Sequence, residues 1–143
     1  MTDADGLDLV PTTSLPDTIR ADDHGNRATG IDHVVITTPD FDATARALVA
    51  AGLPFRRIRQ ATPDRRQGFR RLGPAIMEVV EAPGTPAPAF WGLTLIVSDF
   101  ECLRAHAGAR LGQARPAVQP GRQIATLLPE AGLSTRVAFM TPE

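Results

Sequence analysis

Residues 36–42 read Ile36-Thr37-Thr38-Pro39-Asp40-Phe41-Asp42, and residues 95–101 read Leu95-Ile96-Val97-Ser98-Asp99-Phe100-Glu101. The two stretches align without a gap. Each runs from the end of an apolar strand-like segment into an aspartate suited to cap a helix. A phenylalanine and a second acid follow in the first helical turn, where the helix dipole favours negative charge. The same strand-to-helix junction written twice is the mark of a repeated supersecondary unit.

Working outward from the first copy, Ile31 to Thr37 is β-branched and apolar and predicts a mostly buried strand. Phe41 to Ala51 predicts a helix with Phe41, Ala45, Leu48 and Val49 on one face and Gly52 as its stop. Strand signals follow at Pro54–Arg59, Gly68–Leu72 and Ala75–Glu81, punctuated by Pro63-Asp64 and Gly73-Pro74. The run Ala82-Pro83-Gly84-Thr85-Pro86-Ala87-Pro88-Ala89 reads as a stiff connector. In the second copy Leu93–Val97 is a strand and Phe100 to Ala107 a helix. Strands at Ala117–Val118, Gln123–Leu128 and Arg136–Met140 complete it. The order is βαβββ, linker, βαβββ: one domain over 29–143, with module one at 30–83, a linker at 84–90 and module two at 91–142.

Residues 1–28 carry six aspartates against two arginines, with Pro11 and Pro16 and no periodicity. They are expected to form a disordered acidic tail, since so little apolar surface cannot offset the entropy of ordering. The alternative there is a docked strand near Leu7 to Val10.

Composition narrows the classes of function. The 143 residues are 43% hydrophobic and 22% charged, with a formal net charge of -1, as in a globular protein with no global field to attract nucleic acid or an anionic membrane. No apolar run approaches the roughly 20 residues that cross a bilayer. The start Met-Thr-Asp-Ala-Asp lacks the marks of a secretory signal, so a cytoplasmic location is expected. A single cysteine, Cys102, excludes internal disulfides and cysteine-rich zinc sites. All 15 basic residues are arginine, which excludes a lysine Schiff base. Seven of them (Arg56, Arg57, Arg59, Arg65, Arg66, Arg70 and Arg71) lie within one short stretch. With only Phe55 and Phe69 interleaved, that stretch reads as a solvated hairpin face rather than a nucleic-acid surface. Alternate strand residues share a face, so Phe69 and Arg71 point together, and one of the arginines is expected to pair with a ligand carboxylate or phosphate.

Four motifs, in order, carry a resemblance to a known family. They are IDHVVITTPDFDATARALVAAGLPF (31–55), RLGPAIMEVVEAP (71–83), FWGLTLIVSDFECLRA (90–105) and STRVAFMTPE (134–143). Over Gly30 to Pro142 the chain resembles the vicinal oxygen chelate superfamily of glyoxalase I, extradiol dioxygenases and bleomycin-resistance proteins. The resemblance implies an α+β fold in which two βαβββ modules form a curved mixed sheet around a cleft. It also implies a small-molecule ligand and a homodimer. Metal enzymes of the group hold a divalent ion with one residue from the first and last strands of each module.

Carried over residue by residue, the first module supplies His33 and Glu78 at those positions. The second supplies Gly92, and Val137 or Ala138 according to register; none of these has a donor side chain. Two ligands of four fall short of the three usual in catalytic sites. Either no cofactor is required, or Zn, Ni, Mn or Fe is held weakly. His33 reads equally as a strand histidine with its ring hydrogen-bonded. Glu78, in an apolar strand, needs a partner: His33, an arginine, water or a ligand. Because the family fold brings their strands together, a His33–Glu78 acid/base couple is the working hypothesis. Further ligand contacts are expected from Phe69, Arg71, Trp91, Gln119, Arg122 and Phe139, with Met140 as an alternative apolar wall. His106 is expected on the surface and His24 in the tail. Two classes of function stay open: a binder of small organic molecules, and a lyase, isomerase or dioxygenase acting on a small oxygenated substrate.

Overall fold

The computed structural model describes residues 2–10 and 24–143. Its strands are β1 (Thr2–Ala4), β2 (Leu7–Leu9), β3 (Ala28–Thr38), β4 (Arg57–Thr62), β5 (Arg65–Leu72), β6 (Ala75–Glu81), β7 (Ala89–Val97), β8 (Arg115–Pro116), β9 (Gln123–Thr126) and β10 (Arg136–Met140). Its helices are α1 (Phe41–Ala50) and α2 (Phe100–Ala107). The chain falls into two compact units. Among the described residues the first unit comprises 2–10 and 34–91, and the second 24–33 and 92–143. Strand β3 therefore gives its beginning to the second unit and its end to the first.

In the first unit the strand order is β4-β5-β6-β3, with α1 covering one side of the sheet. Asp40 caps α1, its Oδ1 accepting from the Ala43 amide at 2.9 Å. Behind the cap the Thr38 and Thr44 hydroxyls meet at 2.8 Å, so two buried polar groups satisfy each other. The buried stripe of α1 is Phe41, Thr44 and Leu48, while Val49, expected on that face, is 60% exposed. Val49 lies about 100° past Leu48, outside the sector that meets the sheet. Phe41 and Leu48 join Ile36, Met77 and Val79 in the core, each contributing about 1.5–3 kcal/mol of burial. The Phe55 ring stacks on Phe41 at 5.3 Å between centroids, and Arg66 lies over the other part of that cluster, 4.7 Å from the Phe41 ring. Arg66 also donates to Glu81 at 2.8 Å and to Asp42 at 2.8 Å, tying β5 to β6 and to the first turn of α1. The hydrogen bond from Arg66 holds the Glu81 carboxyl below its ordinary range and, in return, raises the guanidinium pKa.

The start of the chain departs from expectation. Residues 2–10 are not a free tail: β1 and β2 pair antiparallel across Asp5-Gly6, where φ is 60° and 82°. Positive φ at both central residues makes the turn that suits the twist of a hairpin, and Asp-Gly is among its preferred pairs. Ala4 is fully buried in the first unit's core, Leu7 and Leu9 pack beside it, and Thr44 donates to Asp5 Oδ2 at 2.6 Å. The strand allowed near Leu7–Val10 is thus present as β2. Residues 11–23 of the expected tail lie outside the described residues.

The second unit orders its strands β3-β7-β10-β9-β8 and covers one side with α2. β7 and β10 run parallel, while β10/β9 and β9/β8 are antiparallel, so the sheet is mixed. Asp99 caps α2 as Asp40 caps α1, accepting from the Cys102 amide at 2.9 Å. Val97, Leu103, Leu111, Ala125 and Phe139 form the core. Three strands of the second module differ from the sequence reading, one of them β9, which stops at Thr126 rather than Leu128. β7 begins at Ala89, inside the expected linker, and the strand expected at Ala117–Val118 is β8 at Arg115–Pro116. Ala117 instead closes a turn, its amide donating to the Arg122 carbonyl at 2.9 Å.

Candidate functional site

The register of the first unit's hairpins sorts side chains onto two faces. Gly68 pairs with Val79 and Arg70 with Met77, and Met77 and Val79 are buried in the core. The alternate pairs therefore face away from α1: Arg57 with Phe69, Phe69 with Glu78, Arg59 with Gln67, Gln67 with Val80, and Arg71 with Ile76. On this outer face the Gln67 amide nitrogen donates to Glu78 Oε1 at 2.8 Å. The Gln67 oxygen accepts from Arg59 Nε at 3.0 Å and from its Nη2. A guanidinium, an amide and a carboxylate thus form one directed chain across three strands. The amide fixes the Glu78 carboxylate and passes it the polarity of the cation.

Glu78 therefore has a partner that the sequence reading did not consider. Gln67 sits on the diagonal from Glu78, one alternation along β5 from Phe69. Once the Gly73-Pro74 turn sets the register of β5 and β6, that diagonal is fixed. Phe69 is half-buried directly opposite Glu78, and Arg71 is exposed beyond it. Arg56, Phe69, Arg70, Arg71, Gly73 and Ile76 line an open groove of about 600 Å³ toward the hairpin turn.

His33 belongs to the second unit and Glu78 to the first. His33 is 7% exposed, with Nδ1 against Oδ2 of Asp32. That contact is within ion-pair reach, yet Oδ2 has no aligned hydrogen bond. The other oxygen, Oδ1, accepts from Arg122 Nη2 at 2.7 Å, and Arg122 Nε donates to the Thr141 carbonyl at 2.7 Å. Arg122, expected at a ligand rim, is instead 5% exposed and committed to this cluster. A proline-glycine turn flanked by polar residues looks solvated in sequence, but the Asp32 carboxylate and the Thr141 carbonyl draw this arginine inward.

The remaining candidates divide in the same way. Phe139, expected on a ligand wall, lies in the second unit's core beside Val97 and Leu103. Gln119 is half-buried, and its carbonyl accepts from the Arg122 amide at 3.3 Å. Trp91 is 45% exposed near the start of β7, and His106 is exposed on α2. His24 is also exposed.

Gly92 is opposite Arg136 in the parallel β7–β10 pair, and a Cβ built on it meets the Arg136 carbonyl oxygen at 2.4 Å. No side chain of any kind fits there without moving backbone. Val137 packs against the core, which leaves Ala138, paired with Thr94 and Thr126, on the face turned from α2. Neither Gly92 nor Ala138 carries a side-chain donor. Among the described residues no group of three or more His, Cys, Asp or Glu side chains is arranged to hold a metal ion.

No protein-family profile and no curated relative matches the chain. Solved structures do. Methylmalonyl-CoA epimerase from Mycobacterium tuberculosis superimposes with a TM-score of 0.65 at 18% identity, covering 82% of this chain and 90% of that one. The epimerase from Streptomyces coelicolor, in complex with 2-nitronate-propionyl-CoA, gives 0.62 at 18% identity, covering 80% and 97%. A hypothetical protein from Bacillus halodurans C-125 gives 0.60 at 14% identity, covering 79% and 94%. The chain has the α+β glyoxalase/bleomycin-resistance-like fold that the resemblance implied.

Proposed function

We propose that this chain is a vicinal-oxygen-chelate-type protein that binds a small organic ligand on the outer face of β4, β5 and β6 without a complete metal site. The observation that carries this reading is the Arg59–Gln67–Glu78 chain, which holds a half-buried carboxylate in a fixed pose on the face turned from the core. Phe69, directly opposite Glu78, adds a flat apolar surface. A few polar groups on an apolar ground are the usual make-up of a ligand site. The closed Gly92 position and the apolar Ala138 support metal-independent binding. His33, held beside Asp32, is structural in this reading.

Native mass spectrometry of the chain purified without chelators tests it. The expected result is a co-purified organic ligand, lost in Glu78→Gln, with sub-stoichiometric metal. A stoichiometric metal together with a ligand whose retention needs that metal contradicts it.

The likeness to epimerases favours a second reading, that of an isomerase. Here the Glu78 carboxylate takes the proton from a carbon next to a carbonyl and returns it to that carbon. Gln67 is then a positioning residue, since an oriented carboxylate is what such a step needs. Incubation with a 2-substituted acyl thioester in deuterated water decides between the readings. Exchange at that carbon above background, abolished in Glu78→Gln, supports the isomerase; none supports the binder.

A further inference from the structure

We propose that the outer face of β4, β5 and β6 selects a flat organic molecule charged at both ends. Its anionic group meets Arg57, its ring lies on Phe69, and its cationic, hydrogen-donating group meets Glu78. The inference rests on that face being the ligand side and adds the chemical class of the ligand.

The case begins with the register. Arg57 pairs with Phe69, and Phe69 pairs with Glu78, so one row across three strands reads cation, aromatic ring, carboxylate. Directly opposed residues share a face. Neighbouring strands lie about 4.8 Å apart, which puts the two charged ends of the row about 10 Å apart at the backbone. The next row along is Arg59, Gln67 and Val80. There the Gln67 oxygen takes the Arg59 guanidinium while its nitrogen donates to Glu78, so Arg59 is engaged within the protein. Arg57 is not. It is exposed, and among the described residues its side chain has no hydrogen bond and no ion pair. Phe69 is half-buried and lines an open groove, so its ring is within reach of a ligand. Glu78 is held by Gln67, yet a carboxylate offers about four acceptor sites and takes a further donor readily.

The two ends of the row together narrow the ligand. A purely anionic molecule long enough to cross Phe69 brings like charge to Glu78. A purely cationic one meets Arg57. A molecule with one group of each kind makes a charge-assisted hydrogen bond at both ends. The flat side of its ring rests on Phe69 between them.

Titration of the full chain at low salt, followed by NMR, tests the proposal. The probe is 4-(aminomethyl)benzoate, which carries a carboxylate and an ammonium at opposite ends of one ring. It is expected to saturate at one per chain with a Kd below about 1 mM. 4-Methylbenzoate lacks the ammonium and benzylamine lacks the carboxylate, and each is expected to bind at least about tenfold more weakly. Arg57→Gln is expected to bring the probe down to the level of benzylamine, and Glu78→Gln to that of 4-methylbenzoate. Arg46→Gln removes a positive charge from the exposed side of α1, across the sheet, and is expected to change binding less than about twofold. Should Glu78→Gln lose its cooperative thermal transition, Arg57→Gln and the two single-ended compounds carry the test. No saturation by about 10 mM overturns the proposal. So does a single-ended compound that binds as tightly as the probe, or an equal loss in Arg46→Gln and Arg57→Gln. If the titration fails while the co-purified ligand is still lost in Glu78→Gln, the ligand class falls and the outer-face reading stands. A co-purified ligand retained in Glu78→Gln removes that reading, and this proposal with it.

Discussion

The two modules repeat one strand-helix junction, yet they distribute charge differently. In the first unit the face turned from the helix carries Arg57, Arg59, Gln67, Arg71 and Glu78. In the second the corresponding face has Gly92, Thr94, Thr126 and Ala138 with Arg136 at one end, and the charges of Asp32 and Arg122 are buried in an ion pair. The backbone plan fixes where a residue can point. It does not fix whether that residue offers chemistry or closes space. One copy of the repeat carries a network of polar side chains on that face, while the other buries an ion pair.

The largest expected effect breaks the buried pair. Arg122→Met leaves the Asp32 carboxylate buried without its cation and is expected to cost about 3–5 kcal/mol in urea unfolding. Adding Asp32→Asn to that variant recovers much of the loss. A cost under about 1 kcal/mol for Arg122→Met means the pair is not the second unit's lock.

Next, Gly92→Glu attempts to rebuild the missing donor. Because a Cβ there meets the Arg136 carbonyl at 2.4 Å, the variant is expected to lose about 3 kcal/mol or more. A stable variant that gains a metal ion erases the difference between the modules.

The smallest effect belongs to the polar side. Glu81→Gln is expected to cost about 1 kcal/mol at neutral pH, since the partly exposed pair with Arg66 is well formed but solvated. The folded pKa of Glu81 lies below its ordinary value of 4.5, so its contribution is full above that value. It is lost as pH falls through the folded pKa. The gap between wild type and variant therefore closes on acidification. A gap that widens reverses the assignment.

Much of the fold was legible because it rests on local rules. Asp40 and Asp99 cap the helices they promised, and β6 and β10 begin and end where their patterns said. What escaped depends on pairing at a distance. Gln67 becomes a partner of Glu78 only through the diagonal of a hairpin register. The inward turn of Arg122 needs Asp32, remote in sequence. The hairpin at residues 2–10 was legible after all: Asp5-Gly6 between short alternating runs is a turn signal, outweighed in the reading by the acidity around it. Ambiguity at Val137 and Ala138 closes for a simple reason, since Val137 reaches the core and its neighbour must face the other way.

The central claim is that the polar face works without the fold's metal. Equilibrium dialysis of the chain, purified without chelators, against Zn, Ni, Mn and Fe tests it most directly. The account predicts weak binding below one ion per chain, unchanged in Glu78→Gln. One tightly held ion per chain, lost in both His33→Ala and Glu78→Gln, would contradict it.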